Sequence, residues 1–419
     1  MRVPKLRAGR PLPALADLIR RGHGYLPSRA SRLGGPLAAL AGAGAAAGLI
    51  ACSGEGERKA AGEPRGHATP ERSKAPPRAR PAPERPAAGI YARTGSGMLA
   101  PGVSDDLERV YVPNSESDSV SVIDPRKGKV VDTYPVGDLP HHMTPSHDLK
   151  TFYVDNTGGN SLTPIDPHTA KPKGRPIPVD DPYNLYFTPD GGSAIVVAER
   201  LQRLDFRDPK TWKVQKSVPA GCVGVDHADF TADGRRMVAS CEFDGTLLLV
   251  DLAGKKVIGR LKLDRPGAKP VDVRLSPDGK LFYIADEVAN GVWKLDARKF
   301  RVRGFIPTGR GTHGLYPSRD ASVMYATNRL GGTISVIDLK TAKVKETWTI
   351  PGGGSPDMGG VSADGKLLWL SGRYHSEVYA IETATGKLKA RIAVGAGAHG
   401  MLVWPQPGRY SLGHTGNMR

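Results

Sequence analysis

A short alternating segment that ends in an acid recurs seven times along this chain, and that recurrence limits the fold more than any other feature. It reads VSVID at 120–124, LTPID at 162–166, LQRLD at 201–205, LLLVD at 247–251, VWKLD at 292–296, ISVID at 334–338 and VYAIE at 378–382. The period is roughly 42 residues, within the range of propeller blades. One unit can be read whole from Lys269 onward as four short apolar segments, 271–275, 281–285, 291–296 and 301–307. Between the first two lies Ser276-Pro277-Asp278-Gly279-Lys280, where Asp-Gly suits the positive φ of a tight hairpin. The same turn returns at Thr188-Pro189-Asp190-Gly191, Thr231-Ala232-Asp233-Gly234 and Ser362-Ala363-Asp364-Gly365. Each segment is too short for a helix and alternates or is rich in Val, Ile, Phe and Tyr. One unit is therefore a four-stranded antiparallel meander.

A lone sheet of that size leaves both apolar faces wet, whereas packing successive sheets around an axis buries them and exposes only short edges. The expectation is an all-β, seven-bladed β-propeller of four-stranded antiparallel blades. The 52 Gly and 36 Pro agree with a turn-dense β protein. After the seventh unit, residues 398–404 (AHGMLVW) repeat a first-segment pattern and 410–414 resemble a second segment. Residues 97–101 are a competing candidate for the missing inner strand; the C-terminal strand is expected to complete the first blade.

The domain plan reads as an export signal over 1–51, a tether over 52–95 and the propeller over 96–419. Eight Arg and Lys face the single acid Asp17 within 1–32, and an apolar small-residue run over 36–51 follows, too short for a comfortable membrane span. It ends Leu49-Ile50-Ala51-Cys52, which resembles the bacterial lipoprotein box and implies lipidation at Cys52. An ordinary secretory signal with a chance cysteine is the alternative, and Arg20-Arg21 raises twin-arginine export. Residues 53–93 are Pro, Ala, Arg and Glu with almost no large apolar side chain, the composition of a tether. The expected location is extracytoplasmic, with membrane attachment through the lipid alone. Much of the formal charge of +17 lies in these leading segments. The repeats carry no basic stripe with interleaved aromatics, so no nucleic-acid partner is expected.

The second segments Tyr111-Val112-Pro113-Asn114 and Tyr325-Ala326-Thr327-Asn328, with SVID, residues 135–137 (PVG) and Pro140-His141, resemble the YVTN-type repeat of YncE-like exported bacterial propellers. The resemblance runs from about Met98 to the C-terminus and implies the propeller fold. Its members include surface-layer proteins and relatives of enzymes, so it leaves activity open. The third unit departs from the pattern, with Glu199-Arg200 in place of Asn.

In a propeller the first strand of each blade is innermost and its start faces the channel mouth. Five of the 11 His fall in that one phase: His141, His142, His227, His313 and His399. Asp226, Asp272 and Asp357 share the phase, while Glu242, Glu287 and Arg373 end second segments beside the same face. Imidazoles converging from different blades, with carboxylates near, suit Zn²⁺ or Cu²⁺. The ring also resembles the His-lined channel of the nitrous-oxide reductase propeller, although that enzyme's cupredoxin domain has no counterpart here. Against metal stands a plainer reading in which Pro-His-Gly merely bonds loop backbone. The expected main role is then a module binding a polar small ligand or an envelope protein at the mouth. Cys222 and Cys241 fall in one blade at one face, and a disulfide is expected in an exported protein, with soft metal ligation beside His227 as the competitor. No nucleophile elbow, phosphate loop or zinc-protease His pair occurs. A lactonase-type hydrolase using Glu242, Asp226 and His227 is the weakest expectation.

Overall fold

Each repeat becomes a four-stranded antiparallel sheet, and seven such sheets make up the computed structural model, which describes residues 89–414 and 417–419. The unit read above forms the strands Pro270–Leu275, Leu281–Asp286, Gly291–Asp296 and Arg301–Pro307, paired in that order. The second sheet divides its outermost strand into Lys171–Pro172 and Ile177–Pro178, since each proline withholds a ladder donor. The signal segment, Cys52 and the tether up to residue 88 lie outside the described residues.

The turns close as their residue types require. Ser276 Oγ donates to Asp278 Oδ1 at 2.7 Å, Lys280 N donates to the same oxygen at 3.1 Å, and Gly279 sits at φ 71°. Thr188–Asp190, Thr231–Asp233 and Ser362–Asp364 repeat the hydroxyl-to-carboxylate bond at 2.6 Å each. First strands such as Val225–Phe230 are buried along their whole length, whereas outer strands such as Lys256–Lys262 alternate exposed and half-buried residues. Lys256, Arg260 and Lys262 on that outer edge discourage further strands from pairing.

Closure comes from the C-terminal side. Leu402–Trp404 pairs antiparallel with Arg109–Asn114, setting Tyr111 opposite Leu402 and Arg109 opposite Trp404. The competing N-terminal segment forms no inner strand; its β-bridge joins Leu99 and Pro407. Two expectations need correction. Residues 410–414 do not act as a second strand of the first blade. They turn under the third blade, where Phe187 N donates to Leu412 O at 3.1 Å and His414 N to Leu185 O at 3.2 Å. The last residues fold back on them, with Leu412 N bonded to Asn417 O and Arg419 N to Tyr410 O. Arg419 Nη2 then pairs with buried Asp229 at 2.9 Å. Residues 89–95, read as tether, pack on the propeller instead: a 3₁₀ turn at Gly89–Tyr91 buries Tyr91, whose hydroxyl donates to Leu275 O at 2.8 Å. Tyr91 is a large aromatic at the edge of a polar tract, and its burial area outweighs the disorder-prone composition around it.

Cys222 and Cys241 form a disulfide across Cα atoms 6.1 Å apart. Asp155 is a different kind of buried group. It lies wholly inside, and neither carboxylate oxygen has a hydrogen-bond partner. Burial pushes its carboxyl well above the usual range, and nearby Thr144 opposes this only weakly. The native state therefore binds this proton more tightly than the unfolded chain does, and the group withdraws stability as pH rises above the ordinary carboxylate range. Asp155→Asn should raise stability at pH 7 by about 1–3 kcal/mol. Urea unfolding at pH 7 and pH 4 checks it, since the gain should vanish near pH 4.

Candidate metal centre

The first strands are not regular at their mouth ends. Pairing with the second strand skips Asp226 and His227, Val271 and Asp272, His313 and Gly314, and Asp357 and Met358. In the second blade His141 is skipped, and in the third Tyr183. A bulge frees residues from the ladder and re-aims their side chains. Second-strand hydroxyls bond the displaced amides: His227 N to Ser240 Oγ at 3.1 Å, Gly314 N to Thr327 Oγ1 at 2.7 Å, and Met358 N to Ser371 Oγ at 3.1 Å.

All five imidazoles expected from the sequence meet. Ring centroids lie 5.1 Å apart for His141 and His142, 4.6 Å for His141 and His399, and 4.9 Å for His142 and His399. His142 and His227 are 5.3 Å apart, His227 and His313 6.0 Å, and His313 and His399 5.9 Å. Sequence reasoning missed a sixth. His414 stands 4.5 Å from both His142 and His227, carried there by the C-terminal turn. Candidate ligand atoms of His142, His227 and His414 all lie within 4.8 Å of one another, and all three residues are buried.

Four rings of the repeat are oriented from behind. His142 Nδ1 lies 2.7 Å from Tyr183 O, and a carbonyl only accepts, so the proton is on Nδ1. His227 Nδ1 bonds Asp226 Oδ1 at 3.1 Å, and His399 Nδ1 bonds Asp357 Oδ2 at 2.7 Å. The other oxygen of Asp357 takes His313 Nδ1 at 3.0 Å. That leaves Nε2 of His142, His227 and His399 buried without a hydrogen-bond partner, together with both ring nitrogens of His414. An imidazole that donates Nδ1–H to a carbonyl or carboxylate while presenting Nε2 is the arrangement of metal-bound histidine.

The electrostatics keep these rings neutral. Burial lowers His142 to about 3 and holds His227, His399 and His414 well below the usual imidazole value. Burial would raise Asp357, but His313, His399 and Arg329 together hold it well below the carboxylate range. Asp226 goes the other way, raised by burial and then by Glu242 and Glu199. Neutral nitrogen donors converging in a buried cluster fit a transition metal. A tetrahedral ion with bonds of about 2.1 Å needs its nitrogens about 3.4 Å apart, so closure asks for shifts of roughly 1 Å.

The charged residues expected at the mouth separate into distinct roles. Glu242 and Glu287 each lie 2.8 Å from Lys269 Nζ, Glu287 also pairs with Arg329 at 2.7 Å, and Arg329 reaches Asp357 at 3.4 Å. The two cations outweigh burial and bring Glu287 down to about 2. Asp226 and Asp357 orient imidazoles, as described. Asp272 accepts from Leu315 N at 2.8 Å and Val273 N at 2.9 Å, and it stands 3.7 Å from Arg274, tying adjacent blades together. Arg373 donates through Nη1 to Ser115 Oγ and Gly397 O. Asn156 and Asn328, each the last residue of a second strand, hold loops, accepting from Gly137 N and Gly309 N. The disulfide removes Cys222 and Cys241 from metal ligation.

Comparison with known proteins places this arrangement in context. The proteins YncE of Salmonella typhi and of Salmonella typhimurium (strain LT2) are each 34% identical over 131 residues, 30% of this chain. The match covers only 36% of the length of those relatives. Among solved structures, hydrazine synthase of Kuenenia stuttgartiensis is similar with a TM-score of 0.59 at 18% identity, over 76% of this chain and 99% of that one. Dihydro-heme d1 dehydrogenase NirN in complex with DHE is similar at 0.56 and 14%, over 78% of this chain and 83% of that one. A functionally unknown protein of Desulfotomaculum acetoxidans gives 0.56 at 13%, over 70% and 98%. At these identities the likeness is one of fold. The profile of the YNCE-like β-propeller matches residues 90–408, and the chain belongs to that family.

Proposed function

We propose that this propeller binds a late first-row transition metal ion, Zn²⁺ or Cu²⁺, on its axis. His142, His227 and His414 are its ligands, and His399 stands at the edge of the coordination sphere. The observation that carries this reading is the convergence of buried ring nitrogens without partners. Leaving a polar atom buried and unpaired costs about 1–3 kcal/mol, and a metal ion removes several such costs at once. The alternating pull of Asp226 and Asp357 on the rings behind it supports the same reading. All-imidazole donation suits Zn²⁺ and Cu²⁺ over Mg²⁺ and Ca²⁺, which prefer oxygen.

The location proposed with it comes from the sequence before residue 89: export, and attachment to the cell membrane through a lipid on Cys52. A metal-holding propeller on a long polar tether would then face the envelope. The test of the metal reading is direct. Chain stripped with chelator and titrated with Zn²⁺ or Cu²⁺ should take up one equivalent by calorimetry and by elemental analysis after desalting. The triple variant His142→Ala, His227→Ala, His414→Ala should take up none at the same concentrations. Equal uptake by both proteins, or none by the parent chain, overturns it.

A further inference from the structure

Beyond the metal itself, the mouth carries an asymmetry of charge. Across the blades that contribute Glu242, Lys269, Glu287, Arg329 and Asp357, cations and carboxylates alternate in a continuous chain of contacts between 2.7 and 3.4 Å. Arg373 stands outside that chain. Among the described residues no carboxylate pairs with it, and its hydrogen bonds run from Nη1 alone, to Ser115 Oγ at 3.0 Å and Gly397 O at 3.2 Å. Gly397 lies two residues before His399, so those two bonds tie the guanidinium to the segment that carries that ring. Its field reaches them: Arg373 is the largest electrostatic contributor lowering His399 and also acts on His142. An arginine held by one nitrogen, with Nε and Nη2 making no hydrogen bond within the protein, is a planar fork suited to a carboxylate or other small oxyanion.

The metal reading supplies the other half. Three protein imidazoles leave a tetrahedral ion one open position, the mark of sites that accept an outside ligand. We infer that the centre takes a small anion as its exogenous ligand, bound to the metal at one end and paired with Arg373 at the other. The class is a carboxylate, a small oxyanion or a linear monoanion, entering by the channel mouth. A neutral ligand would leave the half-buried Arg373 guanidinium without a counter-charge, since four of the rings are themselves kept neutral by burial.

This inference rests on the metal reading, and the experiment separates the two. Metal uptake is measured first, on the parent chain and on Arg373→Gln and Arg373→Lys, with thermal unfolding as a check of folding. Azide is then titrated into each Cu²⁺-loaded protein and followed by its charge-transfer absorption. Expected is saturable azide binding by the parent, weakened at least about tenfold in Arg373→Gln and partly restored in Arg373→Lys, with metal affinity within twofold throughout. Acetate should compete with azide in the parent. A chain that takes up Cu²⁺ but binds no azide, or binds it equally well without Arg373, overturns the inference and leaves the metal reading standing. A chain that takes up no metal overturns both.

Discussion

His414→Ala is expected to weaken metal binding about a hundredfold or more while the propeller stays folded. Loss of an outer partner that merely orients a ligand already costs roughly 10–100-fold, and His414 is placed to be a ligand itself. Its loss should be cleanly separable from the fold because the turn that carries it is held elsewhere. Phe187 N bonds Leu412 O, Arg419 pairs with Asp229 at 2.9 Å, and Asn417 Nδ2 bonds Asp229 Oδ1 at 3.0 Å. None of these contacts involves the imidazole. The control is His168→Ala, a mostly exposed imidazole paired with Asp106 at 2.6 Å. Competition against a chromophoric chelator measures both. Unchanged affinity in His414→Ala would remove the C-terminal turn from the centre, and equal losses in the two variants would point to the fold.

The propeller could be read from the chain because its determinants are local. Alternation over 4–6 residues and an Asp-Gly turn between segments specify a meander without knowledge of its neighbours, and seven copies leave only closure to decide. Five of the rings at the axis were legible for the same reason, since equal phase in a closed ring means equal distance from the axis. What phase alone could not show is why those side chains turn inward. That depends on the bulges at residues such as His227 and His313, which pairing skips. His414 was out of reach for a different cause: it belongs to no repeat, and only the path of the chain after Trp404 brings it under the third blade. The run Tyr410-Ser411-Leu412-Gly413-His414 is short and partly apolar, and such a run suits a blade strand as well as a turn that plugs a channel. Asp272 shows how equal phase can carry a different role. It has the same phase as Asp226 and Asp357, yet Arg274 two residues on and the amide of Leu315 claim its carboxylate for the contact between blades.

The metal-free protein should hold its stability from pH 7 to about pH 5 and lose it steeply below about pH 4.5. Two sets of buried groups produce that shape. His142, His227, His399 and His414 are depressed by burial, so the unfolded chain binds protons below about pH 6.5 that the native chain refuses, and each ring costs stability as pH falls. Asp155, Glu199 and Asp226 are raised well above their ordinary values, so the native chain binds protons that the unfolded chain does not, and each adds stability as pH falls. Between about pH 6.5 and 4.5 the two sets pull in opposite directions, so the net change with pH is small. Below that range the unfolded carboxylates protonate as well, and the offset ends. Glu287, held low by Arg329 and Lys269, and Asp357, held low by its contacts with His313, His399 and Arg329, then join the rings on the losing side. Six groups pulling together exceed about 4 kcal/mol per pH unit, enough to consume the stability of an ordinary domain within two units. Urea midpoints measured each half unit from pH 7.5 to 3.5 in chelator check the shape. Replacing His142, His227 and His414 with Gln should shallow the acid limb. A curve that falls evenly from pH 7, with the same slope in the triple variant, would show that these rings are already charged and solvated in the native protein.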